Sequence, residues 1–268
     1  MTNWSELTIA AIEAALQAGK FLKDSFYKPH TVSSKEGKKN LVTECDLLAE
    51  EMILSFLQNR FPTHSFLSEE RGPSGSESFD ILWVIDPLDG TVNFAYQIPL
   101  FTVSIAACKE DEVLSGVIFQ PMTNELFIAE KGKGAFLNDI KIHVSKEVSL
   151  SDSFLAIELP YNIHEDQNSN INPLLYFLRH GISIRRLGSA ALNLAYVASG
   201  RFDAFFEKDL YPWDVAAGML LVEEAGGTIS LYNGQKKSPT KRSTLLSSNT
   251  IIHNELLQLI DRETHETH

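Results

Sequence analysis

The stretch WVIDPLDGTVNF, residues 83 to 94, runs an apolar strand into two aspartates, Asp86 and Asp89, with a proline after the first and a glycine after the second. Pro87 fixes its own φ, and Gly90 permits a conformation that other residues resist. The turn is therefore able to hold both carboxylates within reach of one hard cation, with the Leu88 carbonyl as a further oxygen ligand. Two carboxylates ~5 Å apart repel by about 3 kcal/mol at an effective dielectric of ~20, so such a pair either takes up protons or binds metal. Asp-Pro and Asp-Gly are also common turn dipeptides, and the tetrapeptide alone fits a polar turn equally well.

Other candidates lie far apart along the chain, and each has a plain structural reading beside a chemical one. Thr43 and Asp46, three apart at a helix start, form a capping pair. Glu69 and Glu70 are adjacent acids in a loop rich in Gly, Ser and Glu; in extended backbone their side chains point to opposite faces, so they need not share a role. Asp214 follows Trp213 at the opening of a helix, where the dipole favours an acid. Gly188, Ser189 and Ala190 sit where a strand gives way to a helix. Their small side chains allow close approach, and first-turn amides there donate to an anion or a sugar-like hydroxyl. The segment is equally suited to tight helix packing. Gly132-Lys133-Gly134 lacks the rest of a dinucleotide fingerprint, and Gly72-Pro73-Ser74-Gly75 lacks nucleophile-elbow spacing.

The run Asp86-Pro87-Leu88-Asp89-Gly90-Thr91, then Asn93-Phe94, resembles the central signature of the inositol monophosphatase family, magnesium-dependent and lithium-sensitive phosphatases. NLVTECD ending at Asp46, LSEERG with Glu69 and Glu70, and YPWDVAAGMLLVEEAGG with Asp214 match in the family's order and spacing, from the first helix nearly to the C-terminus. The resemblance implies one ion on Glu69, Asp86 and the Leu88 carbonyl, a second on Asp86, Asp89 and Asp214, and a weaker third near Glu69. Mg2+ is implied, with Mn2+ a possible substitute. It further implies a metal-activated water oriented by Thr91 and Glu69 with Asp46 nearby, solvent ordered by Lys35, and a phosphate held by the Gly90 and Thr91 amides. Inositol contacts fall to Gly188, Ser189, Ala190, Glu207 and Asp214.

The implied reaction is hydrolysis of myo-inositol 1-phosphate to inositol and phosphate. Relatives acting on fructose 1,6-bisphosphate, nucleotide 3′-phosphates or histidinol phosphate would use the same cage, but Val92-Asn93-Phe94 after Asp-Gly-Thr inclines toward inositol. Some bacterial relatives bind the transcription machinery, a role for which Arg185-Arg186 offers a basic surface. The implied architecture is a layered αβαβα sandwich, homodimeric, in one phosphatase domain with lobes of approximately 1–148 and 149–268.

The elements that must position these residues are legible in part. Ile9, Ile12, Leu16, Gly19, Leu22 and Phe26 predict an amphipathic helix ending before Pro29, and a second helix from Thr43 toward Phe61 is predicted with Leu48, Met52 and Phe56 on its buried stripe. Residues 81–85, 103–109, 113–119 and 126–130 have strand composition, so the first half reads as helices on a mainly antiparallel sheet, of α+β type. From about residue 150 strands and helices alternate, as in α/β proteins.

The 268 residues, 44% hydrophobic, suffice for one large or two modest cores. A net charge of −12 opposes generalised attraction to nucleic acid or anionic membrane. No apolar run approaches the ~20 residues of a membrane span, and the start carries no export signal, so a cytoplasmic protein is expected. Cys45, Cys108 and eight scattered histidines suggest neither a disulfide framework nor a thiolate zinc site.

Overall fold

The computed structural model describes residues 3–34, 41–76, 80–159 and 171–265. Two helices open the chain, α1 (Glu6–Ser25) and α2 (Glu44–Arg60), with a small antiparallel pair between them, β1 (Val32–Ser34) and β2 (Leu41–Thr43). The strands β3 (Ser65–Ser68), β4 (Gly72–Gly75), β5 (Leu82–Asp89), β6 (Thr102–Lys109), β7 (Glu112–Gln120), β8 (Glu125–Glu130), β9 (Gly134–Leu137) and β10 (Ile140–Ile142) build one sheet; α3 (Thr91–Ala95) follows β5. Its order is β10-β9-β8-β7-β6-β5-β3-β4, antiparallel throughout except for β3 beside β5. Pro73 is tolerated because β4 is an edge strand.

The second half contributes β11 (Phe154–Ile157), α4 (Ile171–Arg179), β12 (Ser183–Arg185), α5 (Ala190–Ala198), β13 (Ala204–Leu210), α6 (Pro212–Glu224), β14 (Gly227–Ser230), β15 (Ser243–Asn249) and α7 (His253–His265). Its sheet runs β12-β11-β13-β15-β14, parallel on either side of β11 and antiparallel around β15.

Alternation along the strands divides the core into three. On β6, Val103, Ile105 and Ala107 face α1 and α2, whereas Ala106 and Cys108 face α5 and α6. On β13, Phe205 faces α5 and α6, whereas Ala204 and Phe206 face the outer layer with α4 and α7. The resulting order is helix, sheet, helix, sheet, helix: the five-layer αβαβα sandwich that the family resemblance implies. Among the described residues no helix is long and apolar enough to cross a membrane.

Both opening helices bury only part of the predicted faces. Of the face predicted for α1, Gly19, Leu22 and Phe26 are buried and Ile12 packs on the core, but the rest of the buried side is Ala11, Ala14, Ala15 and Ala18, while Ile9 and Leu16 are exposed. Small residues let this helix approach the sheet closely, which its larger apolar side chains would prevent. In α2 Leu48 and Met52 are 51% and 36% exposed, and the buried stripe is instead Cys45, Ala49, Ile53 and Leu57. Asp46 and Glu50, both fully buried, lie on the inward side as well, and their hydrogen bonds to the loops beyond the helix fix its rotation.

Candidate active site

β5 does not stop at Ile85 as its apolar run predicts; it continues through both aspartates to Asp89. Residues three apart on a regular strand would face opposite sides. Here Asp86 pairs with Ser104 and Asp89 with Thr102, so three steps on β5 oppose two on β6. The extra residue is a bulge, which turns Asp89 toward the side of Asp86. Gly90 follows with φ 103°, and a Cβ there would lie 2.9 Å from the Leu100 carbonyl oxygen. Both the conformation and the space require glycine.

Each carboxylate is steered by donors. The Leu88 amide donates to Asp86 Oδ1 at 3.0 Å. Asp89 Oδ2 sits at the start of α5, accepting from the Ser189 hydroxyl at 2.5 Å and the Ala191 amide at 2.7 Å. Asp214 Oδ2 accepts the Tyr211 amide at 2.7 Å, closing the first turn of α6. Asp46 Oδ2 accepts from the Thr43 amide at 2.8 Å and hydroxyl at 2.5 Å, so the predicted capping pair is present. Its Oδ1 accepts the Thr91 hydroxyl at 2.8 Å, and the Leu88 carbonyl lies 3.1 Å from the same hydroxyl. Capping and a place in the site are thus the same geometry.

The buried carboxylates also act on one another through their charges. Burial, and then the charges of Glu69, Asp89 and Asp214, push the Asp86 carboxyl well above the usual carboxylate range. Burial raises Asp89 to about 6, with Glu69 adding to it and the bonds from Ser189 and Ala191 opposing. Burial, Asp89 and Glu69 raise Asp214 well above its ordinary value. Burial also raises Asp46, against its three hydrogen bonds and with a contribution from Glu69. Glu207 is pushed well up by burial and by Glu158, Asp214 and Asp89, and its Oε2 is buried with no hydrogen-bond partner.

The structure therefore brings Asp46, Glu69, Asp86, Leu88, Asp89, Thr91, Glu207 and Asp214 together. Among the described residues no lysine or arginine pairs with Asp86, Asp89 or Asp214; their bonds go to amides and one hydroxyl. No three His, Cys, Asp or Glu side chains among the described residues stand together as a ready-made metal cage. The chemistry of the set nevertheless fits a hard divalent cation, being all oxygen and largely buried. Lys35 lies outside the described residues.

Gly188, Ser189 and Ala190 border the cluster, with a qualification to the substrate role expected of them. The Ser189 hydroxyl is bonded to Asp89 and also caps α5 by accepting the Leu192 amide at 3.2 Å. The Gly188 amide donates to Glu158 at 2.6 Å.

Sequence reasoning missed Glu158, whose Oε1 takes the Gly188 amide and, at 3.3 Å, Asn193 Nδ2, and whose Oε2 lies 3.4 Å from Arg186 Nε. It also missed Lys237, fully buried, with Nζ donating to Ser243 Oγ at 2.6 Å; burial lowers its ammonium to about 8 against the pull of Asp214. No local pattern marks either residue. Glu50 was missed too, although an acid one turn after Asp46 is a visible signal, because like charges at that spacing repel unless each has its own partner.

Comparison with known proteins decides the relationship. The model of the inositol monophosphatase family matches residues 3–265. The chain belongs to that family. It is 37% identical to an inositol-1-monophosphatase of Mesorhizobium japonicum over 96% of this chain and 97% of that protein. It is also 41% identical to the Nus factor SuhB of Escherichia coli K12, over 84% of each. The solved inositol monophosphatase of Anabaena superposes with a TM-score of 0.85 at 36% identity, covering 95% of both chains. The family assignment made from the aspartate signature is borne out, and so is the family's sandwich fold.

Proposed function

We propose that this family member is a metal-dependent phosphomonoester hydrolase acting on an inositol monophosphate, myo-inositol 1-phosphate above all. The observation that carries the reading is the mutual influence of Glu69, Asp86, Asp89 and Asp214: the three aspartates are raised by burial and by neighbouring acids, and among the described residues their hydrogen bonds come from amides and one hydroxyl. Glu69, Asp86 and the Leu88 carbonyl would hold one Mg2+, and Asp86, Asp89 and Asp214 a second, with a third near Glu69 and Mn2+ as a substitute. When bound, such ions neutralise the phosphate and lower the pKa of a water molecule.

The chain's own groups supply the rest. Thr91 has a single hydroxyl proton. Directed to Asp46, that proton leaves an oxygen lone pair able to accept from the attacking water, and Glu69 is the second acceptor beside it. The Gly90 and Thr91 amides are the phosphate donors, and Lys35 orders solvent. Glu207 Oε2, buried without a partner, takes a ring hydroxyl, with Asp214 and the backbone of Gly188, Ser189 and Ala190 around the same ring.

The test is a panel of phosphate esters assayed with Mg2+, with Mn2+ and after chelation, lithium being added to each. Hydrolysis of inositol 1-phosphate that needs the metal and is inhibited by lithium is expected. Activity indifferent to chelation refutes the reading, and a preference for fructose 1,6-bisphosphate, a nucleotide 3′-phosphate or histidinol phosphate moves the substrate but not the chemistry. We also read the protein as cytoplasmic and homodimeric; light scattering checks the dimer and cell fractionation the compartment.

The similarity to a protein named Nus factor supports a second reading, association with the transcription machinery alongside catalysis. Arg185 and Arg186 are exposed at the end of β12. Retention of RNA polymerase components by an Asp89→Asn protein, lost in Arg186→Ala, supports it; no retention by the unaltered protein removes it.

A further inference from the structure

The catalytic reading leaves Glu50 unused, yet its side chain is fully buried in α2, one turn after Asp46. Two like charges at this spacing repel, and a carboxylate withdrawn from water needs donors in compensation. Both residues find them, on different loops. Asp46 holds Thr91 on the turn after β5. Glu50 Oε1 accepts the amides of Glu70 and Arg71 at 2.9 and 3.2 Å, on the turn after β3. Glu69, the residue immediately before those amides, donates its own amide to the Ile85 carbonyl at 3.2 Å, next to Asp86. The main chain at Glu69 is therefore fixed to β5 on one side and to Glu50 on the other.

Arg71 Nε lies 3.4 Å from Glu50 Oε2, but that guanidinium is half exposed and also pairs with Glu51. An exposed arm in water contributes little to position. The two amide bonds to Oε1 reach the backbone directly, and backbone cannot turn away as a surface side chain does.

We propose that Glu50 is a positioning residue for the cation cradle: through the Glu70 and Arg71 amides it sets Glu69 at a fixed offset from Asp86, so that one face of α2, through Asp46 and Glu50, aligns both carboxylate-bearing turns. The inference rests on the metal-site reading above. Groups that orient a ligand from behind commonly matter by roughly 10–100-fold in metal affinity or activity.

Three variants separate the possibilities. Glu50→Gln keeps a carbonyl oxygen where Oε1 accepts both amides, Glu50→Met keeps the volume without an acceptor, and Arg71→Ala removes only the guanidinium. Amide hydrogen exchange at residues 70 and 71 is measured in chelated protein, and Mg2+ binding by calorimetry alongside the Mg2+ dependence of hydrolysis. In Glu50→Met, exchange at both amides is expected to accelerate by about tenfold or more, and half-saturating Mg2+ to rise by roughly 10–100-fold, more than kcat falls. Glu50→Gln and Arg71→Ala are expected to stay within about threefold of the unaltered protein in both measurements. Wild-type exchange and metal affinity in Glu50→Met, or equal damage in Glu50→Gln, overturns the proposal. Should Glu50→Met not fold, Glu50→Asp, one methylene too short to span the gap, carries the same expectation. An unaltered protein that binds no Mg2+ defeats the metal reading, while the exchange measurement still decides whether Glu50 holds the turn.

Discussion

Asp214 reaches the site only because α6 lies tight against the large sheet, and one glycine sets how tight. A Cβ on Gly116 of β7 would stand 2.7 Å from the Ala217 carbonyl oxygen and 3.0 Å from its Cα, both main-chain atoms of α6. Ordinary contact begins near 3.4 Å, so Gly116→Ala requires the helix to withdraw by about 0.7 Å in a core packed as densely as a crystal. Overpacking of this kind costs about 1–3 kcal/mol, and the smaller entropy of the unfolded alanine chain offsets about 0.4–1 of it. A net loss of about 1–2 kcal/mol in urea unfolding is expected, at unchanged m-value. Ala217 stands three residues, less than one turn, after Asp214 on the same helix, so the withdrawal carries the carboxylate with it. A misplacement approaching 1 Å costs about 100-fold when it falls on a group that orients the reaction, so kcat/KM is expected to drop by roughly 10–100-fold with half-saturating Mg2+ raised. Because the collision is with backbone, adding Ala217→Gly leaves both defects in place. A Gly116→Ala protein within about 0.5 kcal/mol of the parent and as active as it would refute the reasoning, since α6 would then not depend on this approach.

Three further outcomes are expected. Asp89, raised to about 6, favours the protonated form in the fold; its contribution to stability is present below its unfolded value near 4 and lost as pH rises through about 6. Chelated Asp89→Asn, neutral at every pH, is therefore expected to be more stable at pH 7 by at most about 3 kcal/mol and almost inactive with Mg2+, a sign that urea melts at pH 4 and 7 check directly. Thr91→Val removes the hydroxyl bonded to Asp46 and is expected to cost about 1–2 kcal/mol in stability and roughly 100-fold or more in kcat, with KM for the ester little changed. Ser189→Ala removes an α5 cap and a bond that holds Asp89 down, so a stability loss of about 1 kcal/mol is expected with the acid limb of the pH–rate profile moved to higher pH; an unmoved limb would detach Ser189 from the titration.

The sequence made the two-aspartate turn, the capping pair at Thr43 and Asp46 and the acid at the head of α6 legible, because each is a local pattern of residue types at fixed spacing. Resemblance across four such segments then supplied the family and the five layers. What stayed hidden was non-local. The bulge that brings Asp89 to the side of Asp86 depends on register with β6, and nothing within residues 86–89 counts the residues opposite. The α1 and α2 faces are read only in part because periodicity weighs large apolar side chains, whereas α1 docks largely through alanines and α2 turns two acids inward. Glu158 and Lys237 look like ordinary solvated charges until the fold buries them.

The misreading of α2 and the construction of the site have one cause. A helix oriented by burial alone would put Leu48 and Met52 inside and leave Asp46 and Glu50 in water; the chain does the reverse, leaving two large apolar side chains exposed. Such a departure from the local rule costs stability, and it persists where function requires it. The large sheet and its following turn supply Glu69, Asp86 and Asp89, whereas Glu207 and Asp214 come from the second sheet and the helix after it, with α5 and α6 between the two. Their mutual repulsion therefore acts across the middle layer. Any cation that satisfies them ties the two sheets together, and its binding free energy becomes stability of the whole sandwich, growing with ligand concentration above its Kd. Thermal shift with Mg2+ should then be cooperative over both sheets and diminished by removing an acid from either one.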